Sequence, residues 1–198
     1  MSERRWFKLL YCIIRPVMAV IYPTRYYGRE NIPEEGCLIC GNHSSGWDPF
    51  FIVFGLTMKR RITAMAKESI MKTPVVGFVL KKAGVFGVKR GASDIAAIKH
   101  ALEALKSGKF VALFPEGTRI KSREEGEPKT GAAMLASRAG VQVLPVYIPM
   151  KKKLFRVNKV YFGKPMTLVP EGKRANSKDY EKFTAELMDA IYGCGDGQ

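Results

Sequence analysis

The sequence predicts a single-domain α/β protein with a mostly parallel central sheet flanked by helices. Short apolar segments of strand length alternate with longer segments of helical periodicity. The chain has 198 residues, which is enough for one well-packed core and short for two. An amphipathic helix precedes the alternation. We therefore expect an N-terminal helix at residues 1–23 and one α/β domain at residues 24–198.

The N-terminal segment combines a basic start with an apolar body. Arg15 and Pro16 interrupt this body, and no cleavable signal is evident. The apolar run at residues 9–22 also falls short of the roughly 20 uninterrupted apolar residues that a spanning helix needs. The segment is therefore expected to lie on a membrane or on the protein, and not to cross a bilayer.

Helical spacing sorts the side chains of this segment into two faces. Arg4, Lys8, Tyr11 and Arg15 follow at i, i+4, i+7 and i+11 and form a polar stripe. Apolar side chains cover much of the remaining surface: Trp6, Phe7, Leu9, Leu10, Ile13, Ile14 and Val17. Because the apolar arc is wide and aromatic residues edge it, we favour a helix in the membrane interface, with its basic stripe towards anionic head groups. The alternative is an amphipathic helix packed on the body of the protein.

The later elements follow from periodicity and turn signals. A turn-rich stretch occupies residues 27–36. Strands are expected at CLICGN (37–42), RITAMAK (61–67), VFGV (85–88), KFVALF (109–114) and VQVLPVYI (141–148), with a closing hairpin at 157–168. Helices are expected at residues 49–58, 69–84 with a break near Pro74, 94–108 with Ser93 or Asp94 as the cap, 130–140, and 177–193.

The charge balance points to an anionic partner. Lys and Arg number 33 against 18 Asp and Glu, which gives a net charge of +15. Nucleic acid and the inner leaflet of a membrane are the two common anionic surfaces. The basic residues are scattered and no nucleic-acid recognition motif occurs, so an anionic membrane surface is the expected partner and nucleic acid is not.

The cysteine spacing is not expected to indicate metal or redox chemistry. Cys37 and Cys40 form a CxxC within an apolar strand, where residues three apart point to opposite faces. No second Cys/His pair lies near them. We interpret both as small core residues of a reducing cytosol, and expect neither a metal site nor a cofactor.

A first group of candidate site residues lies in NHSSGWDPF, at residues 42–50. His43 and Asp48 can meet only across a turn, and the intervening Ser and Gly residues are turn formers. A histidine held by a carboxylate is the usual general-base pair. The alternative is that Asp48 only caps a helix that has Pro49 at its first position. His100 lies in a periodic helix with no acidic residue clearly aimed at it, and we give it no role.

A second group is FPEGTR, at the end of a predicted strand. Gly117 allows a tight turn with exposed N–H groups, Thr118 adds a hydroxyl, and Arg119 adds a guanidinium suited to bidentate phosphate binding. Glu116 would repel a phosphate, so it is expected to orient Arg119 or a substrate hydroxyl. A strand-end turn with a surface salt bridge is the alternative.

A third group is GVFGVKRG, where Lys89 and Arg90 lie between glycines. Either cation could make a further anion contact. A solvated basic turn is the alternative, and this segment alone favours it.

Taken together, NHSSGWD, GVFGVKR, FPEGTR and VLPVYI resemble the four blocks of the glycerolipid acyltransferase family, in the same order. They span residues 42–148, over half of the chain. The resemblance implies that His43 is a general base, that Asp48 is its partner and that Pro145 shapes the pocket. It further implies a set of residues that bind the glycerol phosphate: Arg90, Glu116, Gly117, Thr118 and Arg119.

The resemblance also implies an activity. Best-known members make phosphatidic acid from lysophosphatidic acid, so we expect acyl transfer to the sn-2 hydroxyl of that lipid from acyl-CoA or acyl carrier protein. Soluble members that acylate glycerol 3-phosphate carry extra sequence before the first block, whereas 41 residues precede it here. Glycerol 3-phosphate or another lysophospholipid is the alternative acceptor, and an inactive membrane scaffold is the alternative class. The expected location is the cytoplasmic face of the cell membrane, as a peripheral or monotopic protein.

Overall fold

The sheet is the central element of the computed structural model, which describes residues 3–58, 60, 62–88 and 94–195. Within these residues seven strands form one sheet: β1 (Thr24–Tyr27), β2 (Leu38–Gly41), β3 (Ile62–Lys67), β4 (Phe86–Val88), β5 (Phe110–Leu113), β6 (Val143–Tyr147) and β7 (Asn158–Phe162). Their order is β1-β7-β6-β2-β5-β3-β4, and neighbours are parallel except β6 and β7. The five strands β2 to β6 therefore run one way, which confirms the mostly parallel α/β class.

The helices cover both faces of the sheet. They are α1 (Glu3–Ile21), α2 (Asp48–Leu56), α3 (Glu68–Met71), α4 (Pro74–Lys82), α5 (Ile95–Lys106), α6 (Gly131–Ala139) and α7 (Ser177–Gly193). Side chains of α5, α6 and α7 share one apolar cluster with one face of the sheet, and side chains of α1 and α2 share a second cluster with the other face. Cys40 belongs to the first cluster and Cys37 to the second, as expected for residues three apart on a strand. Burial raises the pKa of the Cys37 thiol to about 12.

Local signals place several helix ends correctly. The Asp94 carboxylate accepts a hydrogen bond from the Ala97 N–H at 3.0 Å and caps α5; Ser93 lies outside the described residues. Gly140 ends α6 with a positive φ of 68°, which a glycine adopts without strain. Helical structure breaks between α3 and α4, just before Pro74, as predicted.

Two expectations for the sheet are wrong. The strand β1 was not anticipated, because its four residues alternate between half-buried and exposed and its partner β7 lies far along the chain. Residues 157–168 do not form a hairpin. The segment runs along β6 instead: β7 pairs with it antiparallel, the Gly163 N–H donates to the Pro145 carbonyl, and Met166 bridges to Val143. Gly163 therefore keeps the chain beside β6 rather than reversing it.

One face of α1 packs on the body of the protein. Tyr11 and Met18 are buried in the cluster below α2, and the Tyr11 ring meets the Phe54 ring edge-on at 5.1 Å. The expectation that Tyr11 lies in an exposed polar stripe is therefore wrong, because its ring fills a position in the core. The other members of that stripe are exposed: Arg4, Lys8 and Arg15.

The opposite face of α1 is apolar and exposed. Leu9 lies nine residues from Met18, about half a turn away around the helix. Its neighbours on this face are also apolar, with exposed fractions of 55%, 53% and 65% for Ile13, Val17 and Val20. Among the residues that the structure describes, no helix is both long and apolar enough to cross a bilayer.

Candidate active site

The candidate residues gather where strands of the sheet end. The strands β2 and β5 are parallel neighbours, with Cys40 opposite Leu113, so the segments that follow them emerge side by side. The segment after β2 begins with Asn42 and His43, and the segment after β5 contains residues 114–119. Ligand sites of open α/β sheets lie at this carboxyl edge.

A tight turn brings His43 and Asp48 together. His43 Nδ1 and Asp48 Oδ2 are 2.9 Å apart. The same carboxylate oxygen accepts the N–H groups of Ser44 and Ser45, each at 2.7 Å. Although Pro49 does follow in the first turn of α2, the fully buried Asp48 carboxylate turns back towards the histidine and makes no capping bond to its own helix. Asp48 therefore pairs with His43 and does not cap α2.

The segment after β5 fixes the backbone and ring of His43. Glu116 Oε2 accepts the His43 N–H at 2.7 Å, and the Ile120 N–H donates to the His43 carbonyl at 2.9 Å. The Phe114 ring stacks on the imidazole with a centroid distance of 4.1 Å and an interplanar angle of 14°. With Nδ1 directed at Asp48, no described residue makes a hydrogen bond to Nε2. That nitrogen is in a position to accept a substrate proton.

Glu116 is held between two protein donors. Its second oxygen, Oε1, accepts the Tyr192 hydroxyl of α7 at 2.8 Å. Burial raises the pKa of the Glu116 carboxyl, although the hydrogen bonds from Tyr192 and His43 oppose that shift. Burial and the neighbouring Glu116 also raise the pKa of Tyr192. Glu116 therefore holds the backbone of His43. Arg119, one of the two groups that Glu116 was expected to orient (the other being a substrate hydroxyl), is exposed.

Lys152 is a buried cation that was not among the predicted site residues. Its Nζ forms an ion pair with Asp48 Oδ1 and donates to Ser44 Oγ, and its side chain is 7% exposed. Burial alone would raise the pKa of Asp48, but the His43 hydrogen bond and the Lys152 charge outweigh it and lower that pKa. Burial lowers the pKa of Lys152, and Asp48 opposes the shift. Three consecutive lysines are typical of a solvated surface, so the sequence pattern did not predict that the middle one is buried beside Asp48.

Two side chains hold the Lys152 segment against the turn. The Asn42 side-chain amide makes two hydrogen bonds to the Ile148 backbone. Its NH₂ group donates to the Ile148 carbonyl and its oxygen accepts the Ile148 N–H, both at 2.8 Å. The Ser44 hydroxyl donates to the Met150 carbonyl at 3.1 Å. The chain after β6 is thereby fixed beside the His43–Asp48 pair.

A cavity of about 470 Å³ lies next to this pair. Phe114, which stacks on His43, and Glu116, which holds the His43 N–H, both line it, as do Gly117 and Thr118. Most of the remaining wall is apolar: Met65, Ala66, Val88, Ala97, Ile98, Leu113, Pro115, Gly131, Ala132, Met134 and Leu135. Lys67 and Lys129 add two cations, and Asp94 adds a carboxylate. The cavity therefore has room for an apolar chain, with charged groups of both signs on its wall.

The remaining predicted site residues lie in different environments. Gly117 makes the predicted tight turn, with a φ of 67° and its N–H bonded to the Phe114 carbonyl at 3.0 Å. Thr118 is exposed like Arg119. Arg90 and its neighbour Lys89 lie outside the described residues. Pro145 is buried inside β6 and is not part of the cavity wall.

No metal centre accompanies the pair in the part of the chain that the structure describes. No three His, Cys, Asp or Glu side chains there are close enough to hold an ion. His100 is exposed, and its ring lies 4.4 Å from the ring of Phe86. The described part of the site thus consists of the His43–Asp48 pair beside a mainly apolar cavity.

Comparison with known proteins gives concordant results. A family model described as Acyltransferase matches residues 23–149. The chain is 32% identical over 146 residues to a 1-acyl-sn-glycerol-3-phosphate acyltransferase from Pseudomonas aeruginosa, covering 72% of this chain and 55% of that protein. It is 31% identical over 137 residues to a protein of the same name from Borreliella burgdorferi, covering 68% and 54%. The chain thus spans about half the length of these curated relatives.

A solved structure resembles this fold as well. It is the 1-acyl-sn-glycerophosphate (LPA) acyltransferase PlsC from Thermotoga maritima, with a TM-score of 0.63 and 25% sequence identity. The similarity covers 98% of this chain and 77% of that one.

Proposed function

The chain belongs to the acyltransferase family whose model it matches, and from that membership we propose that it acylates the sn-2 hydroxyl of lysophosphatidic acid. The acyl group comes from a thioester, and the product is phosphatidic acid. The observation that carries the proposal is the His43–Asp48 pair, joined at 2.9 Å, beside a cavity with apolar walls.

The proposed reaction is a direct transfer with His43 as the base. The acceptor hydroxyl gives its proton to His43 Nε2 while its oxygen bonds to the thioester carbonyl carbon. The tetrahedral intermediate then expels the thiolate, which takes the proton back from the imidazolium and leaves as a thiol. Asp48 holds the ring through Nδ1 and stabilises the imidazolium. No acyl-enzyme is required, because the thioester is already activated.

Recognition of the acceptor is assigned to the segment after β5. Gly117 offers a turn, and Thr118 and Arg119 offer a hydroxyl and a guanidinium at an exposed position suited to a phosphate. Arg90 is proposed as a further phosphate contact. Glu116 supports acceptor binding indirectly, since its oxygens hold His43 and Tyr192.

The acyl donor is proposed to be a thioester of coenzyme A or of acyl carrier protein. Both carriers are anionic, and the net charge of +15 suits either one. The apolar cavity wall suits the fatty acyl chain that the two donors share.

We place the protein at the cytoplasmic face of the membrane, with the N-terminal 23 residues as its anchor and residues 24–198 as the acyltransferase domain. Trp6 of α1 meets Phe78 of α4 edge-on, with ring centroids 6.2 Å apart. The two helices thus extend one exposed apolar surface, the α1–α4 surface, formed by Leu9, Ile13, Val17, Val20, Val75, Val76 and Phe78. Cations flank it: Arg4, Arg5, Lys8, Arg15, Lys81 and Lys82. An apolar surface with basic flanks suits an anionic bilayer.

The first test is turnover by His43→Ala. Purified wild-type protein in mixed micelles should form phosphatidic acid from lysophosphatidic acid with acyl-CoA or acyl carrier protein, measured by mass spectrometry. Removing a general base costs roughly 10²–10⁴-fold, so the variant should lose at least about 100-fold in kcat. The matched control is His100→Ala, which removes the other histidine and should keep near wild-type turnover. A His43→Ala variant that kept more than about a tenth of the rate would contradict the assignment.

A further inference from the structure

We infer that Lys152 is a positioning residue of the active site, whose charge on Asp48 keeps His43 unprotonated and ready to act as a base. The inference rests on the proposed function, because it concerns the base of that reaction. It assigns a role to a residue outside the four sequence blocks, in the segment that follows β6.

The two oxygens of Asp48 have separate partners. Oδ2 accepts hydrogen bonds from His43 and from the N–H groups of Ser44 and Ser45. Oδ1 faces the Lys152 ammonium. The carboxylate thus lies between two groups that can each carry a positive charge. When Lys152 is charged, Asp48 stabilises a protonated His43 less strongly.

The burial of Lys152 is specific to this position. Its neighbours Lys151 and Lys153 are exposed, whereas its own side chain is 7% exposed. Lysine is almost never buried without a partner, because desolvation of an ammonium is costly. The only acid that pairs with Lys152 in the described part of the chain is Asp48, whose side chain is fully buried.

The chain around Lys152 is fastened on both sides. Upstream, Asn42 holds Ile148. Downstream, Asn158 accepts the Lys153 N–H and donates to the Lys153 carbonyl, both at 2.9 Å. A segment fixed at both ends holds the ammonium at one distance from Asp48, which a flexible surface lysine would not maintain.

The charges that face His43 come from three segments. Asp48 lies on its own turn, Glu116 follows β5, and Lys152 follows β6; Tyr192 of α7 reaches the site only through Glu116. Buried carboxylates with no cation nearby would hold the imidazolium strongly, and a protonated ring cannot accept the acceptor's proton. The Lys152 charge offsets Asp48, so the pair keeps its geometry while the ring remains free to take a proton.

The test measures the titration of one imidazole directly. The chain has two histidines, so His100→Gln leaves His43 as the only reporter. In that background, Lys152→Met and Lys152→Gln remove the charge, and the glutamine keeps a donor for Ser44 and Asp48. We expect NMR of the ring to show a titration midpoint higher by about one pH unit. The acid limb of the kcat/KM profile should move by the same amount, with kcat/KM nearly restored at high pH.

Matched controls separate this role from loop anchoring. Lys151→Met and Lys153→Met remove exposed lysines on either side and should leave the midpoint and the profile unchanged. Lys152→Arg keeps the charge and should stay near the wild-type midpoint. An unchanged midpoint in the neutral variants, with kcat/KM lowered equally at every pH, would make Lys152 a structural clamp and overturn the inference. Loss of the fold in both neutral variants would overturn it too.

Failure of the proposed function has a different signature. In that case the wild-type protein makes no phosphatidic acid, while the NMR midpoint still shifts when Lys152 is neutralised. The two ideas are thereby tested independently.

Discussion

At the scale of single residues, Asp48 joins the chemistry of the site to the stability of the fold. It is a fully buried carboxylate that accepts from His43, Ser44 and Ser45 and faces Lys152. Its lowered pKa means that the folded state holds the ionised form more firmly than the unfolded state does. The stability that Asp48 contributes is therefore present above the unfolded pKa, about 3.9, and is lost as the pH falls through its folded pKa.

We expect this dependence to be visible in urea unfolding between about pH 5 and pH 3. The double variant Asp48→Asn with Lys152→Gln removes both charges and should show a shallower fall in the free energy of unfolding over that range. Glu116 contributes with the opposite sign, because its raised pKa adds stability at low pH that is lost as the pH rises. Glu116 is present in both proteins, but it interacts with both of the charges that the double variant removes. Asp48 raises the Glu116 pKa and Lys152 attracts the ionised carboxylate, so we expect the two losses to offset each other in part.

Asp189→Asn is the matched control for that experiment, since Asp189 is an exposed carboxylate paired with Arg123. It should leave the fall in the free energy of unfolding with decreasing pH close to that of the wild type. If the double variant kept the full wild-type slope, Asp48 would not be the group whose protonation destabilises the fold in acid.

Arg119 is the residue at which guanidinium shape should matter most. Lysine retains the charge but loses the planar fork that binds a phosphate through two parallel hydrogen bonds. We expect Arg119→Lys to raise the apparent KM for lysophosphatidic acid by roughly tenfold, since a lost charge-assisted bond costs about 1.5–3 kcal/mol and lysine recovers part of it. The KM for the thioester should change little.

The comparison requires initial rates with each substrate varied in turn. Arg138→Lys, a change of the same type at an exposed position in the last turn of α6, should alter neither KM. A raised donor KM with an unchanged acceptor KM would instead move Arg119 to the thioester side of the site.

The sequence was informative at residue scale where the partners are close in the chain. His43 and Asp48 are five residues apart, and turn formers between them made the pair predictable. Lys152 meets Ser44 across 108 residues, and Tyr192 meets Glu116 across 76. No local pattern encodes such contacts, because they depend on which strands become neighbours in the sheet.

At the scale of elements, α1 has two apolar faces, one packed on the core and one exposed. One face places Tyr11 and Met18 in the core, and the opposite face leaves Leu9, Ile13 and Val17 exposed. Periodicity predicted the wide apolar arc but could not tell which of its side chains pack on the protein and which stay exposed. The same limit applies to β1, whose partner strand is distant, whereas the cap of α5 and the break before Pro74 follow from local chemistry.

The exposed face of α1 should control membrane binding. Full burial of a Leu, Ile or Val side chain is worth about 1.5–3 kcal/mol, so the triple variant Leu9→Gln, Ile13→Gln, Val17→Gln should weaken binding to anionic vesicles at least tenfold. Vesicle flotation at two salt concentrations measures this, and added salt should weaken the part due to Arg4, Lys8 and Arg15. Deleting residues 1–23 should also release much of the protein, but it removes Tyr11 and Met18 from the core as well.

The control changes apolar residues that are equally exposed but lie elsewhere. Ile95 and Val169 are 76% and 80% exposed, and their replacement by Gln should leave flotation unchanged. Full retention of the α1 triple variant would assign membrane binding to another part of the α1–α4 surface, with Val75, Val76 and Phe78 of α4 as the next candidates.

At the scale of the whole molecule, the sheet gathers distant segments at one edge. The five co-directional strands bring the ends of β2, β5 and β6 side by side, which is why His43, Glu116 and Lys152 meet. The α/β class was predictable because strand and helix periodicities alternate along the chain. The strand order was not, since it is decided by pairing across the sheet.

We expect the choice of acceptor to depend on both the active site and the proposed membrane surface. Phosphate contacts at Arg90 and Arg119 would hold glycerol 3-phosphate and lysophosphatidic acid equally, so discrimination must come from the acyl tail. Burying a tail yields roughly 0.8 kcal/mol per CH₂ relative to water, but little relative to a bilayer. Under the proposed function, we therefore expect preference for the lipid to arise mainly from local concentration, because a protein held at the interface would meet acceptors already dissolved there.

We accordingly expect lysophosphatidic acid to outcompete glycerol 3-phosphate by at least about tenfold when both are present at equal concentration in mixed micelles with one thioester donor. The new ester should lie at the sn-2 oxygen, which positional analysis of the product by mass spectrometry can establish. The Leu9→Gln, Ile13→Gln, Val17→Gln variant is the informative control, since it should keep the site while losing the local concentration. Its preference for the lipid should therefore narrow. Predominant formation of the one-chain product by the wild type would instead identify a glycerol-3-phosphate acyltransferase.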